Sequence, residues 1–142
     1  MSLTSAMTSS ASDEWETPQE VFDALHSEFG FSIDVAANER NAKCADFYSV
    51  EDDGLVQEWA PRVVWMNPPY GRNIEYWVAK AAIEAGKGAT VVGLVPARTD
   101  TRWWHTWVMP LAEIRFVRGR IKFSGAKDAP FPSAIVVWRP RP

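Results

Sequence analysis

Asn67-Pro68-Pro69-Tyr70 directly follows a strand-like apolar run at residues 63–66 and brings together groups that could do chemistry on a flat ring. Proline fixes its own φ at about −65° and holds the preceding residue extended. The Asn67 side-chain oxygen and the Pro68 carbonyl can therefore point the same way as acceptors, and Tyr70 offers an aromatic face for stacking. Such a wall suits the exocyclic amine of a heterocycle, because it gathers the amine hydrogens and turns the nitrogen lone pair toward a methyl donor.

The position of this tetrapeptide favours a site over an ordinary turn, although all of its residue types are also common in turns. It stands between a buried strand and a helix-like segment that follows Gly71. Ligands of open α/β sheets bind beyond the carboxyl ends of the strands. We therefore interpret the tetrapeptide as a catalytic group whose members are Asn67, Pro68, Pro69 and Tyr70.

Apolar periodicity and capping residues predict the elements that would position this group. Thr17 and Glu20 have the spacing of a capping box with Pro18 at the first helical position, and Gly30 would end this helix. A second helix is predicted from the cap Asn73 to Gly86, and helical spacing recurs at residues 103–108. Strands are predicted at residues 31–37, 62–66, 89–95, 111–117, 119–123 and 134–138. Residues 38–61 are irregular, with a short strand around 44–48 and one helical turn at 55–59.

The order of these elements predicts an α/β fold. Strands that alternate with helices and then follow one another directly indicate a mostly parallel central sheet with an antiparallel C-terminal hairpin. A chain of 142 residues has the size of one domain, which we place at residues 13–142. Residues 1–12 are rich in Ser, Thr and Ala without apolar periodicity, so we expect disorder there.

Charge is unevenly distributed along the chain. The formal net charge is −3, but residues 1–94 carry 15 acidic and 6 basic side chains, whereas residues 95–142 carry 3 acidic and 9 basic ones. The acidic total argues against indiscriminate coating of nucleic acid, while the basic C-terminal third could present one cationic face to phosphates or could simply be solvated. One Cys and two His argue against a zinc site, and the single Cys44, which cannot form an internal disulfide, fits a reducing cytoplasm. No apolar run is long enough to span a membrane.

Eight short motifs occur in order along the chain and together resemble one protein family. They are Trp15-Glu16-Thr17-Pro18, Ile33-Asp34-Val35-Ala36-Ala37, Asp53-Gly54-Leu55, Asn67-Pro68-Pro69-Tyr70-Gly71, Val95-Pro96-Ala97-Arg98-Thr99-Asp100-Thr101, Trp103-Trp104-His105, Gly119-Arg120-Ile121 and Pro132-Ser133-Ala134. From about residue 13 to residue 140 the chain resembles the phage-type DNA N6-adenine methyltransferase (Dam) family. The resemblance implies a phage or prophage enzyme acting in the cytoplasm of a bacterial host.

The resemblance further implies an abbreviated Rossmann-like fold with helices on both faces of the sheet, S-adenosylmethionine as cofactor, and methyl transfer to the N6 amine of adenine in DNA. The tetrapeptide matches the family's catalytic motif. The matched cofactor-binding positions are Thr17, Pro18, Asp34 and Ala36. The usual glycine-rich turn after the first strand is absent here. For the ribose or adenine of the cofactor we favour Asp53 over Asp46, although either could instead form a turn.

An adenine inside a duplex must be flipped out to reach such a pocket, and basic side chains around the pocket are the expected phosphate contacts. The candidates are Arg98, Arg102, Arg118, Arg120 and Lys122. At least one of Trp103 and Trp104 is expected in the core, which leaves the other available for stacking. A chain of this size is expected to have no separate recognition domain. Specificity is then either low, or provided by the loops 38–61 and 124–133, or shared by a dimer.

Two other functions remain open at this point. The same chemistry could act on an RNA base or a protein glutamine, since each presents a nitrogen on a planar system. A nucleic-acid-binding module that has lost its cofactor could keep the fold, although the intact tetrapeptide argues against it. A metal-dependent mechanism is not expected.

Overall fold

The computed structural model describes residues 15–123 and 128–141, so the predicted disorder at residues 1–12 lies outside the described part. The elements in chain order are helix α1 (Gln19–Phe29), strand β1 (Ile33–Asp34), a 3₁₀ turn (Gly54–Val56), strand β2 (Val63–Met66), helix α2 (Ile74–Gly86), strand β3 (Thr90–Pro96), a π-helical turn (Trp104–Val108), strand β4 (Glu113–Phe116) and strand β5 (Ser133–Trp138). None of the described helices is both long and apolar enough to cross a membrane.

The five strands form one mixed sheet in the order β1-β2-β3-β5-β4. β1, β2 and β3 pair in parallel, whereas β5 pairs antiparallel with both β3 and β4. The prediction of a mostly parallel sheet is therefore corrected, since half of the pairings are antiparallel. The reason is that the described residues between β4 and β5 contain no helix, and strands joined without a crossover run antiparallel.

Four of the strands run in the same direction, which gives the sheet one functional edge. β4 is antiparallel to β5, and β5 is antiparallel to β3, so β4 points the same way as β1, β2 and β3. The carboxyl ends of these four strands therefore lie at one edge, together with the start of β5. We call this edge the carboxyl edge.

Helical segments pack against both faces of the sheet. On one face Trp65 lies edge-on to Phe22 of α1, with ring centroids 5.5 Å apart. Met66, the next residue along β2, lies beside Gly93 and Trp138 on the opposite face. There the Trp138 indole donates a hydrogen bond of 2.8 Å to the carbonyl of Trp107 in the π-helical turn, and α2 packs against the same turn.

Several predicted element boundaries change because local signals compete with tertiary contacts. Thr17 does not cap α1: Pro18 is the N-cap residue, and no side chain caps the helix. Gly30 ends α1 in the left-handed conformation, as predicted. The strand predicted at residues 119–123 is reduced to an isolated bridge between Lys122 and Asp128. The strand predicted around residues 44–48 is likewise a single bridge from Phe47 to Asp34.

Candidate active site

A cleft opens at the carboxyl edge beyond β1 and β2. Its walls come from the segment Trp15–Thr17, from the loop after β1 and from Asn67–Pro69 after β2, with Trp77 contributed by α2. The empty volume, including the solvent-open mouth, is about 700 Å³. Its position at the carboxyl ends of parallel strands is where open α/β sheets bind their ligands.

Asn67 has one half of its side-chain amide fixed and the other half unpaired. Its Nδ2 donates a hydrogen bond of 2.6 Å to the carbonyl oxygen of Trp15. This bond sets the orientation of the amide, so that Oδ1 is the free acceptor. Oδ1 is buried and has no hydrogen-bond partner among the described residues. Asn67 therefore brings an oriented, unsatisfied acceptor to the wall of the cleft.

The rest of the tetrapeptide divides between the cleft and the core. Pro68 and Pro69 line the cleft beside Asn67. Tyr70 is only 4% exposed and donates a hydrogen bond of 2.9 Å to the carbonyl of Leu94. Burial raises the pKa of the Tyr70 phenol. The structure thus places Tyr70 in the core behind the cleft, and not on the wall where we predicted its face.

Asp34 ends β1 and shapes the loop that follows. Its Oδ1 accepts from the Ala36 amide at 3.2 Å, and its Oδ2 accepts from the Lys43 amide at 3.0 Å. Burial raises the pKa of the Asp34 carboxyl to about 6. Asp34 and Ala36 both line the cleft. The carboxylate therefore organises the turn that follows β1.

The N-terminal segment also reaches the cleft. Thr17 lines it and is buried, and its hydroxyl has no hydrogen-bond partner among the described residues. Pro18, the next residue and the N-cap of α1, does not line the cleft. Of these two predicted cofactor residues, the structure therefore brings Thr17 to the cleft.

Neither Asp53 nor Asp46, the two candidates for the ribose or adenine of the cofactor, lines the cleft. Asp53 accepts from the Leu55 amide at 3.1 Å and caps the 3₁₀ turn. Asp46 forms an ion pair of 2.7 Å with Arg62. Gly54, next to Asp53, allows a close approach, because a Cβ there would lie 2.3 Å from the Val35 carbonyl oxygen. This contact gives the Asp-Gly-Leu motif a structural reason.

The predicted DNA-contacting residues follow the strands of the carboxyl edge. Arg98 comes after β3, and Arg118, Arg120 and Lys122 come after β4. All are exposed, as is Arg102. Lys122 lies 4.0 Å from Asp128, whereas the four arginines have no carboxylate partner among the described residues.

Exposed Arg72, in the loop after β2, also has no carboxylate partner in the described part of the chain, and sequence reasoning did not single it out. By contrast, Arg115 and Arg139 both pair with acidic side chains. Among the described residues, the arginines without a carboxylate partner therefore include several that directly follow strands ending at the carboxyl edge.

The structure buries both tryptophans that were considered for stacking. Trp103 and Trp104 pack against each other, with ring centroids 5.8 Å apart. Neither offers an exposed face, so the expectation that one of them is free to stack is corrected. Trp104 also lies against Phe116, which accounts for its place in the core.

Two cleft residues were missed by sequence reasoning. Trp15 supplies the carbonyl that orients Asn67, and its ring lies edge-on to Phe123 and Phe131. Trp77 lines the cleft, and its buried indole nitrogen has no hydrogen-bond partner among the described residues. The sequence could have indicated a role for Trp15, because Trp15 begins the motif Trp-Glu-Thr-Pro. For Trp77 the sequence shows only the apolar spacing of a buried helix face.

Ionisable side chains in the described ranges do not assemble into a metal site. Those ranges contain no group of three or more His, Cys, Asp or Glu side chains that could hold a metal ion. Cys44 is half-buried, and burial raises the pKa of its thiol to about 11. The thiol is therefore protonated at neutral pH and unsuited to nucleophilic work.

Comparison with known proteins identifies relatives over most of the chain. The family model described as DNA N-6-adenine-methyltransferase (Dam) matches residues 4–140. The chain is 36% identical over 107 residues to a DNA N-6-adenine-methyltransferase of Escherichia phage T1, covering 74% of this chain and 44% of that protein. It is 32% identical over 114 residues to a protein of the same name from Haemophilus phage HP1, covering 78% of this chain and 66% of that protein.

A putative methyltransferase of Escherichia coli K12, YfdM, is 37% identical over 65 residues, or 41% of this chain and 71% of that protein. The chain spans less than two thirds of the length of either phage relative. The family model, however, covers almost all of this chain. The protein belongs to the DNA N-6-adenine-methyltransferase (Dam) family.

Proposed function

We propose that this protein transfers a methyl group from S-adenosylmethionine to the exocyclic N6 amine of adenine in DNA. The observation that carries the proposal is the buried Oδ1 of the cleft residue Asn67, which has no hydrogen-bond partner in the described part of the chain. Family membership and the names of the phage relatives support it. The site of action is the DNA inside a bacterial host cell.

The finer fold assignment is an abbreviated Rossmann-like methyltransferase. It is supported by the parallel run β1-β2-β3 and by a cleft at the carboxyl ends of those strands, where open α/β sheets bind their ligands. Helical segments on both faces of the sheet agree with it. Only two α-helices are present among the described residues, which is the sense in which the fold is abbreviated.

Asn67 makes the target amine nucleophilic. The amine of adenine is a weak nucleophile because its lone pair is delocalised into the ring. Hydrogen bonds from the amine to Asn67 Oδ1 and to the Pro68 carbonyl localise that pair and strengthen as positive charge develops on nitrogen. By comparison with other sites, losing one such preorganised hydrogen bond costs about 3 kcal/mol of transition-state stabilisation.

The cofactor supplies an electrophilic methyl carbon on a positively charged sulfur. Thr17 and the loop held by Asp34 would hold the cofactor, which would supply this methyl group to the amine and keep the carbon–sulfur bonding pair on sulfur, while the amine proton would pass to water. The chain holds the nitrogen in line with the methyl carbon, and this positioning lowers the barrier further. No strong base is needed, because the methylated amine is acidic.

The cleft residues fit the proposed cofactor. Thr17 brings an unpartnered hydroxyl, which can both donate and accept. Asp34 holds the loop containing Ala36 through two backbone amides, so its contribution is to fix the wall. Pro18 and Asp53 support this wall from outside, the first at the start of α1 and the second at the 3₁₀ turn.

The basic residues at the carboxyl edge suit a nucleic-acid substrate. Flipping presents a single adenine to the cleft while the backbone stays outside. The unpaired arginines are available for that backbone. Transfer to protein glutamine would not use such a cationic edge, so labelled methyl transfer to DNA, RNA and protein in parallel separates the substrate classes.

Substitution of Asn67 by Ala tests the proposal. We expect Asn67→Ala to lower methyl transfer to DNA by about 100-fold or more, while calorimetry shows cofactor affinity within about twofold of wild type. Asn73→Ala is the matched control, because Asn73 stands outside the cleft lining at the N-cap of α2, where its side chain makes no cap hydrogen bond. Near-normal turnover by Asn67→Ala would contradict the mechanism.

A further inference from the structure

Trp77 carries a buried hydrogen-bond donor that the proposed mechanism does not use. It lies in the first turn of α2, is 1% exposed and lines the cleft. Its indole Nε1 has no acceptor among the described residues. Buried indole N–H groups normally find a partner, so this donor needs an explanation.

Two other buried tryptophans show what the chain does with an indole nitrogen that stays inside the fold. Trp59 Nε1 donates to the carbonyl of Gly54 at 2.9 Å, and Trp138 Nε1 donates to the carbonyl of Trp107 at 2.8 Å. Neither tryptophan lines the cleft. The one tryptophan of the three that reaches the cleft is also the one without an internal acceptor.

The Trp77 ring is held in place on two sides. Trp59 stacks on it with centroids 6.4 Å apart and planes 28° from parallel. On another side Gly54 lies so close that a Cβ there would come within 3.2 Å of the Trp77 ring. A donor with a fixed direction loses little freedom when it binds, which favours a role in ligand binding.

The chemistry of the ligand follows from the donor. An indole N–H can only donate, so the ligand must present an acceptor. The Trp77 ring packs beside Gly54, which lies against the carbonyl of Val35 just after β1. Trp77 is therefore close to the β1 side of the cleft, where the proposed function puts the cofactor, whereas Asn67 follows β2 and faces the adenine.

We propose that Trp77 binds S-adenosylmethionine, its indole N–H donating to an oxygen or nitrogen acceptor of the cofactor. This inference rests on the proposed function. It also gives the motif Asp53-Gly54-Leu55 a second task, because the absence of a side chain at Gly54 lets the 3₁₀ turn pack against the ring that makes this contact.

A pair of Trp→Phe variants separates binding from folding. Trp77→Phe removes a donor that has no partner within residues 15–123 and 128–141, so calorimetry should show roughly tenfold weaker binding of S-adenosylmethionine and S-adenosylhomocysteine. Trp138→Phe removes a donor that the fold uses, at a tryptophan that neither lines the cleft nor stacks on Trp77. It should lower the midpoint of thermal unfolding of the ligand-free protein and leave cofactor affinity within about twofold.

Replacing Trp77 by benzothienylalanine covers the case in which the smaller phenyl ring disturbs packing. This residue keeps the shape of the indole and exchanges N–H for sulfur, and it should weaken binding as much as Trp77→Phe does. Unchanged cofactor affinity in the benzothienyl variant, with wild type binding normally, would overturn this inference alone. Failure of wild type to bind either compound would overturn it together with the proposed cofactor.

Discussion

At the scale of single residues, one hydrogen bond decides what Asn67 can do. The Trp15 carbonyl accepts a hydrogen bond from Asn67 Nδ2. Asn67 Oδ1, which has no partner among the described residues, is then available to a ligand amine. The place of the tetrapeptide directly after a strand could be predicted from the sequence. The partner that orients it could not, because Trp15 is 52 positions away in the chain.

The direction of the Tyr70 side chain could not be predicted from the sequence. Its aromatic face was predicted on the cleft, but its hydroxyl finds the Leu94 carbonyl on β3, and its ring lies edge-on to Phe123 and Phe131. A proline-rich turn fixes the local backbone without fixing the side of the wall on which the next side chain lies. That choice depends on an acceptor in a distant strand.

Asp34 should make stability depend on pH. Burial raises its pKa from 3.8 to about 6, so the folded state binds more protons than the unfolded state between these values. The free energy of unfolding should therefore fall as pH rises from about 4 to about 6, by on the order of 3 kcal/mol. Urea unfolding across this range measures it.

The matched variant for this experiment is Asp34→Asn, which cannot ionise. The stability of wild type relative to Asp34→Asn should be greatest near pH 4 and should fall toward pH 6. A difference between the two proteins that stays constant over this range would show that the carboxyl titrates normally.

At the scale of elements, α2 anchors the loop that leads into β2. Glu84 on α2 has no exposed side-chain surface, and its Oε1 accepts from the amides of Trp59 and Ala60 at 2.8 and 2.9 Å. Lys80 and Lys87 lie 3.2 and 3.3 Å from its Oε2. The loop, and with it the start of β2, is thus tied to the helix.

Glu84→Gln should destabilise the protein. Burial alone would raise the pKa of Glu84, but the Ala60 and Trp59 amides and Lys80 outweigh it and hold the pKa at about 2. The stability that this carboxylate contributes is present above pH 4.5 and is lost as pH falls toward 2. We expect the variant to lose about 2 kcal/mol at pH 7 and to show a weaker loss in acid, measured by urea unfolding.

Glu75→Gln is the control for this prediction, since Glu75 lies in the first turn of the same helix and is not buried. It should change the free energy of unfolding by less than about 0.5 kcal/mol. Equal effects of the two substitutions would mean that the buried carboxylate has no special role.

The elements with strong periodicity were predicted to within one or two residues. The sequence placed α2 and β3 correctly, because an apolar helix face and a continuous apolar strand are local signals. The irregular stretch 38–61 was not predictable in detail. Its form depends on two backbone hydrogen bonds, from the Asp34 amide to the Asp46 carbonyl and from the Tyr48 amide to the Asp34 carbonyl, and on the close approach of Gly54.

At the scale of the whole molecule, the topology turns a charge asymmetry along the chain into one basic edge. The basic C-terminal third was visible in the sequence. The direction of β4 places the residues that follow it, including Arg118 and Arg120, at the same edge as the cleft. That direction could not be read from composition, because it depends on β5 lying between β3 and β4.

Removing both Arg118 and Arg120 should weaken DNA binding and its dependence on salt. Each lost phosphate contact should reduce the magnitude of the slope of log K against log salt concentration by about 0.9. The magnitude of this slope should therefore be about 1.8 smaller for the double Ala variant than for wild type. Arg139→Ala is the control, because Arg139 follows the opposite end of β5 and pairs with Glu113. An unchanged slope in the double variant would remove both residues from the DNA interface.

Mapping of modified bases in plasmid DNA from a bacterial host without adenine methylation tests the central claim most directly. Expression of the wild-type chain should place N6-methyladenine in the plasmid, and Asn67→Ala, expressed at the same level, should place none above background. Plasmid DNA that stays unmethylated while the purified, folded protein binds S-adenosylmethionine would contradict the account.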